Sequence, residues 1–201
     1  MTGAPPIVLG ITGASGAPYA VRLLQALTAA HRRVSLIVSK YGMRLLATEA
    51  GIDSIDALRD SVGIDAWASY VETFSNDDRG AAPASGSART AGMVVCPCSM
   101  GTLSAIAVGA SRSLIERAAD VTLKESRKLI LVPRETPLSA IHLGNMLRLA
   151  RAGAVVMPAA PAFYHRPKQI SDLVDFVVAR ILDHLEVEHN LVARWKGQPE
   201  R

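Results

Sequence analysis

The chain has 201 residues and a mass of 21.3 kDa, a size that suits one domain with a sizeable hydrophobic core. Apolar residues make up 49% of the chain and charged residues 20%. No apolar run is long enough to span a bilayer, and no leader-like stretch opens the chain. We therefore expect no membrane segment and a cytoplasmic location. The formal net charge is only +4 and aromatic residues are 4% of the chain, which argues against nucleic-acid binding and favours an anionic small molecule as ligand.

Apolar runs typical of strands alternate along the chain with amphipathic stretches typical of helices. The runs are continuous rather than alternating in polarity, which is typical of strands buried on both faces of a parallel sheet. The predicted strands cover residues 6–12, 33–39, 92–98, 128–133 and 153–158. The predicted helices cover residues 17–30, 102–111, 114–127, 137–152 and 171–187, the last with Ser171 as its N-cap.

This alternation predicts a three-layer, doubly wound, mainly parallel α/β sandwich of flavodoxin or Rossmann type, with ligands at the carboxyl ends of the strands. We expect a single domain over residues 1–201, with a polar C-terminal tail from about residue 188. Residues 52–91 are less regular, and the Gly-, Ser- and Asp-rich stretch 74–90 predicts a long surface loop that acts as a lid.

The first strand ends in "GITGASGAP", where three glycines surround Ser15. Glycine lets backbone N–H groups approach a ligand closely, and the following helix N-terminus favours an anion. An ordinary tight strand-to-helix turn explains the same glycines. The spacing departs from GxGxxG, and the second strand ends in Ser39-Lys40 without the acidic residue that a NAD ribose requires, so a mononucleotide fits better than a dinucleotide.

A second strand end, "CPCSMGTLSAI", brings Ser99, Gly101 and Thr102 to the start of a helix. Two hydroxyls and free amides there predict a phosphate cradle, although simple N-capping by Ser99 explains the pattern equally well. Cys96 and Cys98 are too close together for an ordinary disulfide, and we expect each to pack at the end of a buried strand.

Two further strand ends carry polar side chains. Arg134 and Glu135 follow a wholly apolar strand, which suggests a ligand contact, the alternative being a surface ion pair. Tyr164 and His165 stand in the proline-rich loop "MPAAPAFYHRP", and His165 is more typical of a surface residue than of a catalyst.

Six segments of the chain form a combined pattern, the most specific being the block over 132–167. They are "GITGASGAPYA", "SK" after the second strand, "CPCSMGTLSAIA", "RAADVTLKE", "VPRETPLSAIHLGNMLRLARAGAVVMPAAPAFYHRP" and "DLVDFVVARIL". Over nearly the whole chain this pattern resembles the flavin prenyltransferases of the UbiX type. The resemblance implies a domain that binds reduced FMN and attaches a dimethylallyl group at flavin N5 and C6, assembled as a dodecamer with active sites where subunits meet.

The resemblance also implies site residues and a partner. By position, FMN would contact Gly13, Ala14, Ser15, Ser39, Ser99, Met100, Gly101, Thr102 and Arg134. Dimethylallyl phosphate would contact Lys124, Tyr164 and Arg180, with Arg117 close by. The catalytic set would be Ser15, Glu49, Lys124 and Glu135, without a metal. The prenylated FMN would pass to a decarboxylase of the UbiD type.

The chemistry agrees with these roles. Displacing phosphate from an allylic carbon builds negative charge on the leaving oxygens, which Lys124, Arg134 and Arg180 would neutralise beside the Tyr164 hydroxyl. Ring closure removes a proton from C6, and Glu135 or the departing phosphate is the candidate base. Without the resemblance, Lys124, Arg180 and Glu49 would be interpreted as ordinary exposed charges on helix surfaces.

The chain departs from the pattern at Arg112-Ser113, where the family commonly has Asp-Asn, and at Arg79, where some members carry a tryptophan lining the prenyl pocket. One alternative is an FMN-dependent cysteine-peptide or phosphopantothenoylcysteine decarboxylase; however, the region "LLATEAGI" lacks the catalytic histidine of those enzymes. Another alternative is a non-catalytic flavin carrier. Such a carrier would not need the three cations Lys124, Arg134 and Arg180, because FMN has a single phosphate group.

Overall fold

Within residues 4–193, the part of the chain that this computed structural model describes, six parallel strands form one sheet. The strands are β1 (Ile7–Ile11), β2 (Val34–Val38), β3 (Val71–Ser75), β4 (Gly92–Cys98), β5 (Leu129–Pro133) and β6 (Val155–Val156). Their order in the sheet is β3-β2-β1-β4-β5-β6, so the direction of winding reverses between β1 and β4. This order is that of a doubly wound Rossmann-type sheet, which confirms the predicted fold class.

Helices cover both faces of the sheet. They are α1 (Ala17–Ala29), α2 (Lys40–Ala50), α3 (Ile55–Val62), α4 (Ile64–Tyr70), α5 (Met100–Ala107), α6 (Leu114–Lys124), α7 (Ala140–Arg151) and α8 (Ile170–His184), with a 3₁₀ turn at Ala82–Ala84. No helix among residues 4–193 combines the length and the apolar character needed to cross a membrane.

Neighbouring residues of a strand point into different cores. Leu9 packs in the core formed with α1, α2, α3 and α8, whereas Val8 packs in the core formed with α5, α6 and α7. Both are at most 1% exposed. The continuous apolar runs therefore reflect two buried faces, as the sequence predicted.

The region predicted as irregular holds a strand and two helices that the sequence analysis missed. The edge strand β3 has the sequence VETFS and is partly exposed, so it lacks the continuous apolar run of the inner strands. The long loop lies after β3, over residues 76–91, where Arg79 is exposed. Its 3₁₀ turn buries Pro83 and Ala84.

The predicted start of the last helix was wrong. The N-cap of α8 is Gln169, and Ser171 lies within the first turn. The carboxylate of Asp172 accepts the backbone N–H groups of Lys168 at 2.7 Å and Gln169 at 3.2 Å, which fixes the helix start one residue before the serine. Of the predicted polar tail, residues 194–201 lie outside the described part of the chain.

Candidate functional site

Thr12 joins the turns that follow β1 and β4. Its side-chain Oγ1 donates to the backbone carbonyl of Pro97 at 2.8 Å and accepts the backbone N–H of Ser99, also at 2.8 Å. Thr12 is 2% exposed, so both bonds are shielded from water. Because these strands flank the point where the winding reverses, the two turns form the walls of the crevice in which such sheets bind ligands. The sequence analysis missed this threonine.

Beside Thr12 lies a cavity of about 370 Å³, which we call the hydroxyl-lined cavity. Among its lining residues are Ser39 and Ser99, which follow β2 and β4, and Thr102 in the first turn of α5, together with Gly13 and Gly101. The structure therefore brings together five of the residues that the sequence analysis assigned to FMN. A Cβ atom at Gly13 would overlap the Cβ of Tyr41, so only glycine fits this wall.

All three serines that line the cavity are helix N-caps, and two of them are residues assigned to FMN. Ser39 Oγ accepts the N–H of Gly42 at 3.0 Å, and Ser99 Oγ accepts the N–H of Thr102 at 3.2 Å. Ser99 Oγ in turn donates to Thr102 Oγ1 at 3.1 Å. Within the described residues, the Ser39 hydroxyl keeps its own hydrogen for another acceptor, whereas Ser99 gives its hydrogen to Thr102 and leaves the hydrogen of the Thr102 hydroxyl for a ligand. Capping and ligand binding are thus compatible, and the N-capping alternative raised for Ser99 is present in the structure.

The glycine turn before α1 already holds an anion, and that anion belongs to the chain. Glu49 Oε2, from α2, accepts the backbone N–H groups of Gly16 and Ala17, both at 2.8 Å. Burial raises the pKa of Glu49, but hydrogen bonds from Gly16, Ser15 and Ala17 and the charge of Arg134 outweigh that effect and lower the pKa below its ordinary value. The helix N-terminus expected to meet a ligand phosphate is therefore occupied by this carboxylate.

Arg134 joins the same cluster from the end of β5. Its Nε donates to the backbone carbonyl of Ser15 at 3.3 Å. Within the described residues Arg134 forms no ion pair with Glu135, whose carboxylate instead accepts the N–H of Thr136 at 3.0 Å. The surface ion pair considered from the sequence is absent from this part of the chain, and both side chains are exposed at the carboxyl edge of the sheet.

Two FMN candidates are structural neighbours of this cluster. Ala14 is 4% exposed, and its backbone N–H donates to the carbonyl of Thr12 at 3.0 Å. Met100 is half-buried and packs against the core on the α5 side.

Lys124 lies at the opposite edge of the sheet. Helix α6 starts beside the hydroxyl-lined cavity, which Ser113 lines, and runs roughly 16 Å before it ends at Lys124. There Lys124 Nζ pairs with Glu125 Oε1 at 3.1 Å, while Arg117, the fourth residue of the helix, pairs with Asp120 at 2.9 Å. One chain therefore does not bring Lys124 to Ser15 and Arg134.

Tyr164 and Arg180 form a third cluster, on the outer side of α8. They line a cavity of about 290 Å³ with Phe176 and Asp183. Arg180 Nη1 lies 2.8 Å from Asp183 Oδ2, and the ring of Tyr164 meets that of Phe176 edge-on at 5.8 Å. Like Lys124, this pair is separate from the hydroxyl-lined cavity within one chain. His165 stacks on Phe176 at 5.4 Å, which gives it a packing role.

The two cysteines are buried at the end of β4, as predicted. Both are 0% exposed, and burial raises the pKa of the Cys98 thiol to about 12 and that of Cys96 further. Within residues 4–193 no group of three or more His, Cys, Asp or Glu side chains is arranged to hold a metal ion.

Comparison with known proteins identifies close relatives. The flavoprotein family model matches residues 1–182. Flavin prenyltransferase UbiX of Pseudomonas aeruginosa is 50% identical over 98% of this chain and 97% of its own length. The crystal structure of AnUbiX (PadA1) in complex with FMN and dimethylallyl pyrophosphate superposes with a TM-score of 0.87 at 42% identity, covering 98% of this chain and 100% of that one.

Two more solved structures bear on assembly and on the decarboxylase alternative. A dodecameric FMN-dependent UbiX-like decarboxylase from Escherichia coli O157:H7 has a TM-score of 0.87 at 44% identity and covers 96% of this chain and 100% of that one. A PPC decarboxylase mutant has a TM-score of 0.57 at 17% identity, over 82% of this chain and 86% of that one, and therefore shares the fold alone.

Proposed function

Because the chain belongs to the flavoprotein family, as a flavin prenyltransferase of the UbiX type, we propose that it joins a dimethylallyl group from dimethylallyl phosphate to N5 and C6 of reduced FMN. The observation that carries the proposal is the hydroxyl-lined cavity at the reversal point of the sheet, with Ser15 and Arg134 beside it. The alternative of a cysteine-peptide or phosphopantothenoylcysteine decarboxylase is not favoured, since the PPC decarboxylase resembles this chain in fold alone.

The residues at the carboxyl edge fit the flavin. Ser39, Ser99 and Thr102 would hold its phosphate through hydroxyl groups, and Gly101 leaves the backbone of the α5 start open. Ala14, Ser15, Met100 and Arg134 would hold its ring system. Reduced FMN, when bound, supplies the two nucleophilic ring positions, N5 and C6.

Ser15 and Glu49 would manage protons beside N5. The Ser15 side chain helps to lower the pKa of the Glu49 carboxylate, which two backbone N–H groups hold in place. A serine between a fixed carboxylate and the flavin edge is placed to relay a proton. Glu135, exposed next to Arg134, is the candidate base for the proton at C6, a role that the departing phosphate would otherwise fill.

Within one chain Arg134 lies at this edge, but Lys124 and Arg180, the other two cations assigned to the donor phosphate, do not. We therefore propose that Lys124, Tyr164 and Arg180, with Arg117 close by, reach the site from neighbouring subunits of a dodecamer. Fixed cations and a tyrosine hydroxyl around the leaving oxygens would stabilise the negative charge that develops on them as the bond between the allylic carbon and the phosphate oxygen breaks. The proposal also includes a cytoplasmic location and a UbiD-type decarboxylase as recipient of the product.

The test is anaerobic incubation of the protein with reduced FMN and dimethylallyl phosphate or diphosphate, followed by mass spectrometry of the flavin. A gain of one dimethylallyl unit supports the proposal, and comparison of the two donors identifies the substrate. In a parallel incubation with a cysteine substrate, loss of carbon dioxide would instead support a decarboxylase. Flavin binding without either reaction would support a carrier. Arg134→Ala and Glu135→Gln are the variants to compare, because unchanged turnover in either removes that residue from the mechanism.

A further inference from the structure

Arg112 lies at the hydroxyl-lined cavity, where the sequence analysis recorded only a departure from the family pattern. Its side chain lines the cavity together with Ser39, Ser99 and Thr102, the residues proposed to hold the FMN phosphate. It is exposed, so a ligand can reach it. A guanidinium is the side chain best suited to several hydrogen bonds with phosphate oxygens.

Glu116 holds this arginine in place. Its Oε2 accepts the backbone N–H of Arg112 at 2.7 Å and the side-chain Nε at 3.3 Å, and its Oε1 accepts Nη2 at 3.0 Å. Glu116 is only 7% exposed, so the carboxylate provides a fixed anchor. Among the described residues Nη1 of Arg112 has no hydrogen-bond partner, which leaves that group to donate to a ligand.

The start of α6 does not offer an alternative anion site. The N–H of Leu114 donates to the backbone carbonyl of Asn76 at 2.8 Å, and that of Ile115 to Asn76 Oδ1 at 3.2 Å. The N–H of Glu116 donates to Ser113 Oγ at 3.3 Å. Since these first-turn donors are already paired, the arginine side chain is the cationic feature that this helix presents to the cavity.

Arg112 also offsets the negative charge of Glu116 at the cavity. Among the described residues that line the cavity, Arg112 and Glu116 are the two charged side chains. A phosphate held by the nearby hydroxyls would be repelled by an unpaired Glu116 carboxylate, and a buried carboxylate without its partner is itself costly. Arg112 neutralises the carboxylate and still presents a free N–H group.

We propose that Arg112 binds the phosphate group of FMN, with Glu116 as its positioning residue. The inference rests on the proposed function, because it assigns one more residue to the same flavin site. It predicts that the contribution of Arg112 to binding depends on the phosphate and is absent for riboflavin, which has the same ring system without a phosphate.

The test is titration of the purified protein with FMN and with riboflavin, followed by flavin fluorescence, for the native chain and three variants. Arg112→Gln should weaken FMN binding about tenfold and leave riboflavin binding unchanged. Arg112→Lys, which keeps the charge but loses the fork of donors, should weaken FMN binding by about threefold. Arg59→Gln is the matched control, since Arg59 forms an exposed ion pair within α3 and should affect neither ligand.

A second comparison tests the carboxylate. In the Arg112→Gln background, Glu116→Gln should restore part of the FMN affinity, because it removes the unpaired negative charge. Equal weakening of FMN and riboflavin in both Arg112 variants, or unchanged FMN binding in them, would overturn the inference while leaving the proposed function intact. If the native chain binds neither flavin, the proposed function itself fails.

Discussion

The Oε2 atom of Glu49 lies 2.8 Å from the backbone nitrogen of Gly16, so the glycine turn after β1 binds a carboxylate of its own chain. Gly16 has φ = 126°, a conformation that favours glycine, and a side chain there would crowd Tyr19. The turn thus places Glu49 and Ser15 at the carboxyl edge. The proposed binding site for the FMN phosphate is therefore not the glycine turn but the hydroxyl-lined cavity, where Ser39 and Ser99 lie.

Replacing Glu49 by glutamine should destabilise the protein modestly. Glutamine keeps a carbonyl oxygen for the N–H groups of Gly16 and Ala17 but loses the charge that complements the start of α1. Because the side chain is partly exposed, we expect a loss of only about 0.5–1 kcal/mol in the free energy of unfolding. Denaturant unfolding at pH 7 measures it, and Glu72→Gln, an exposed carboxylate on β3, is the control.

The stabilisation by the Glu49 carboxylate should also decrease as the pH falls. The folded-state pKa lies below the ordinary value of 4.5, so the stabilisation is fully present above that value and is lost as the pH falls through the folded-state pKa. The difference in melting temperature between the native chain and Glu49→Gln should therefore be constant from pH 7 to about pH 5 and shrink at lower pH. A difference that grows on acidification would contradict the assignment.

Substitution of the serine caps should distinguish their contribution to the stability of the fold from their contribution to FMN binding. Ser39→Ala and Ser99→Ala each remove a cap and should each cost about 1 kcal/mol. Ser54→Ala removes the equivalent cap of α3, away from the cavity, and should cost a similar amount. Only the first two should weaken FMN binding, by about five- to tenfold, as measured by fluorescence titration. Equal FMN affinity in all three variants would mean that these hydroxyls serve as caps alone.

Local pattern explains which parts of the molecule the sequence could predict. Inner strands such as β1 and β5 are buried on both faces, so their apolar runs are continuous. The edge strand β3 has no fully buried residue, so it lacks a continuous apolar run and was missed for that reason. The hydroxyls of Ser39 and Ser99 follow predicted strands directly, and parallel strands bring their carboxyl ends to one edge.

Contacts between distant segments explain what was missed. The Thr12–Ser99 bond joins residues 87 positions apart, and the Glu49–Gly16 bond joins residues 33 apart. No local periodicity encodes such pairings. The position of Lys124 likewise depends on the direction in which α6 runs across the sheet, which places it away from the edge where its proposed partners lie.

The two cysteines should resist thiol reagents in the folded protein. Cys96 and Cys98 are fully buried and burial raises the pKa of both thiols, so neither access nor thiolate formation favours reaction near pH 8. Titration with a chromogenic disulfide should label neither thiol in buffer and both in concentrated guanidinium chloride. Rapid labelling of the folded protein would show that β4 opens to solvent.

Separation of Lys124 from Arg134 within one chain predicts complementation between subunits. Arg134→Ala and Lys124→Ala should each abolish prenylation alone. In a mixed oligomer, some sites receive a native Arg134 from one subunit and a native Lys124 from another, so equal co-expression should restore about a quarter of the native activity. The control mixes Arg134→Ala with Ser15→Ala, whose residues meet within one chain at 3.3 Å and therefore cannot complement. Activity in the control mixture, or none in the test mixture, would contradict a site shared between subunits.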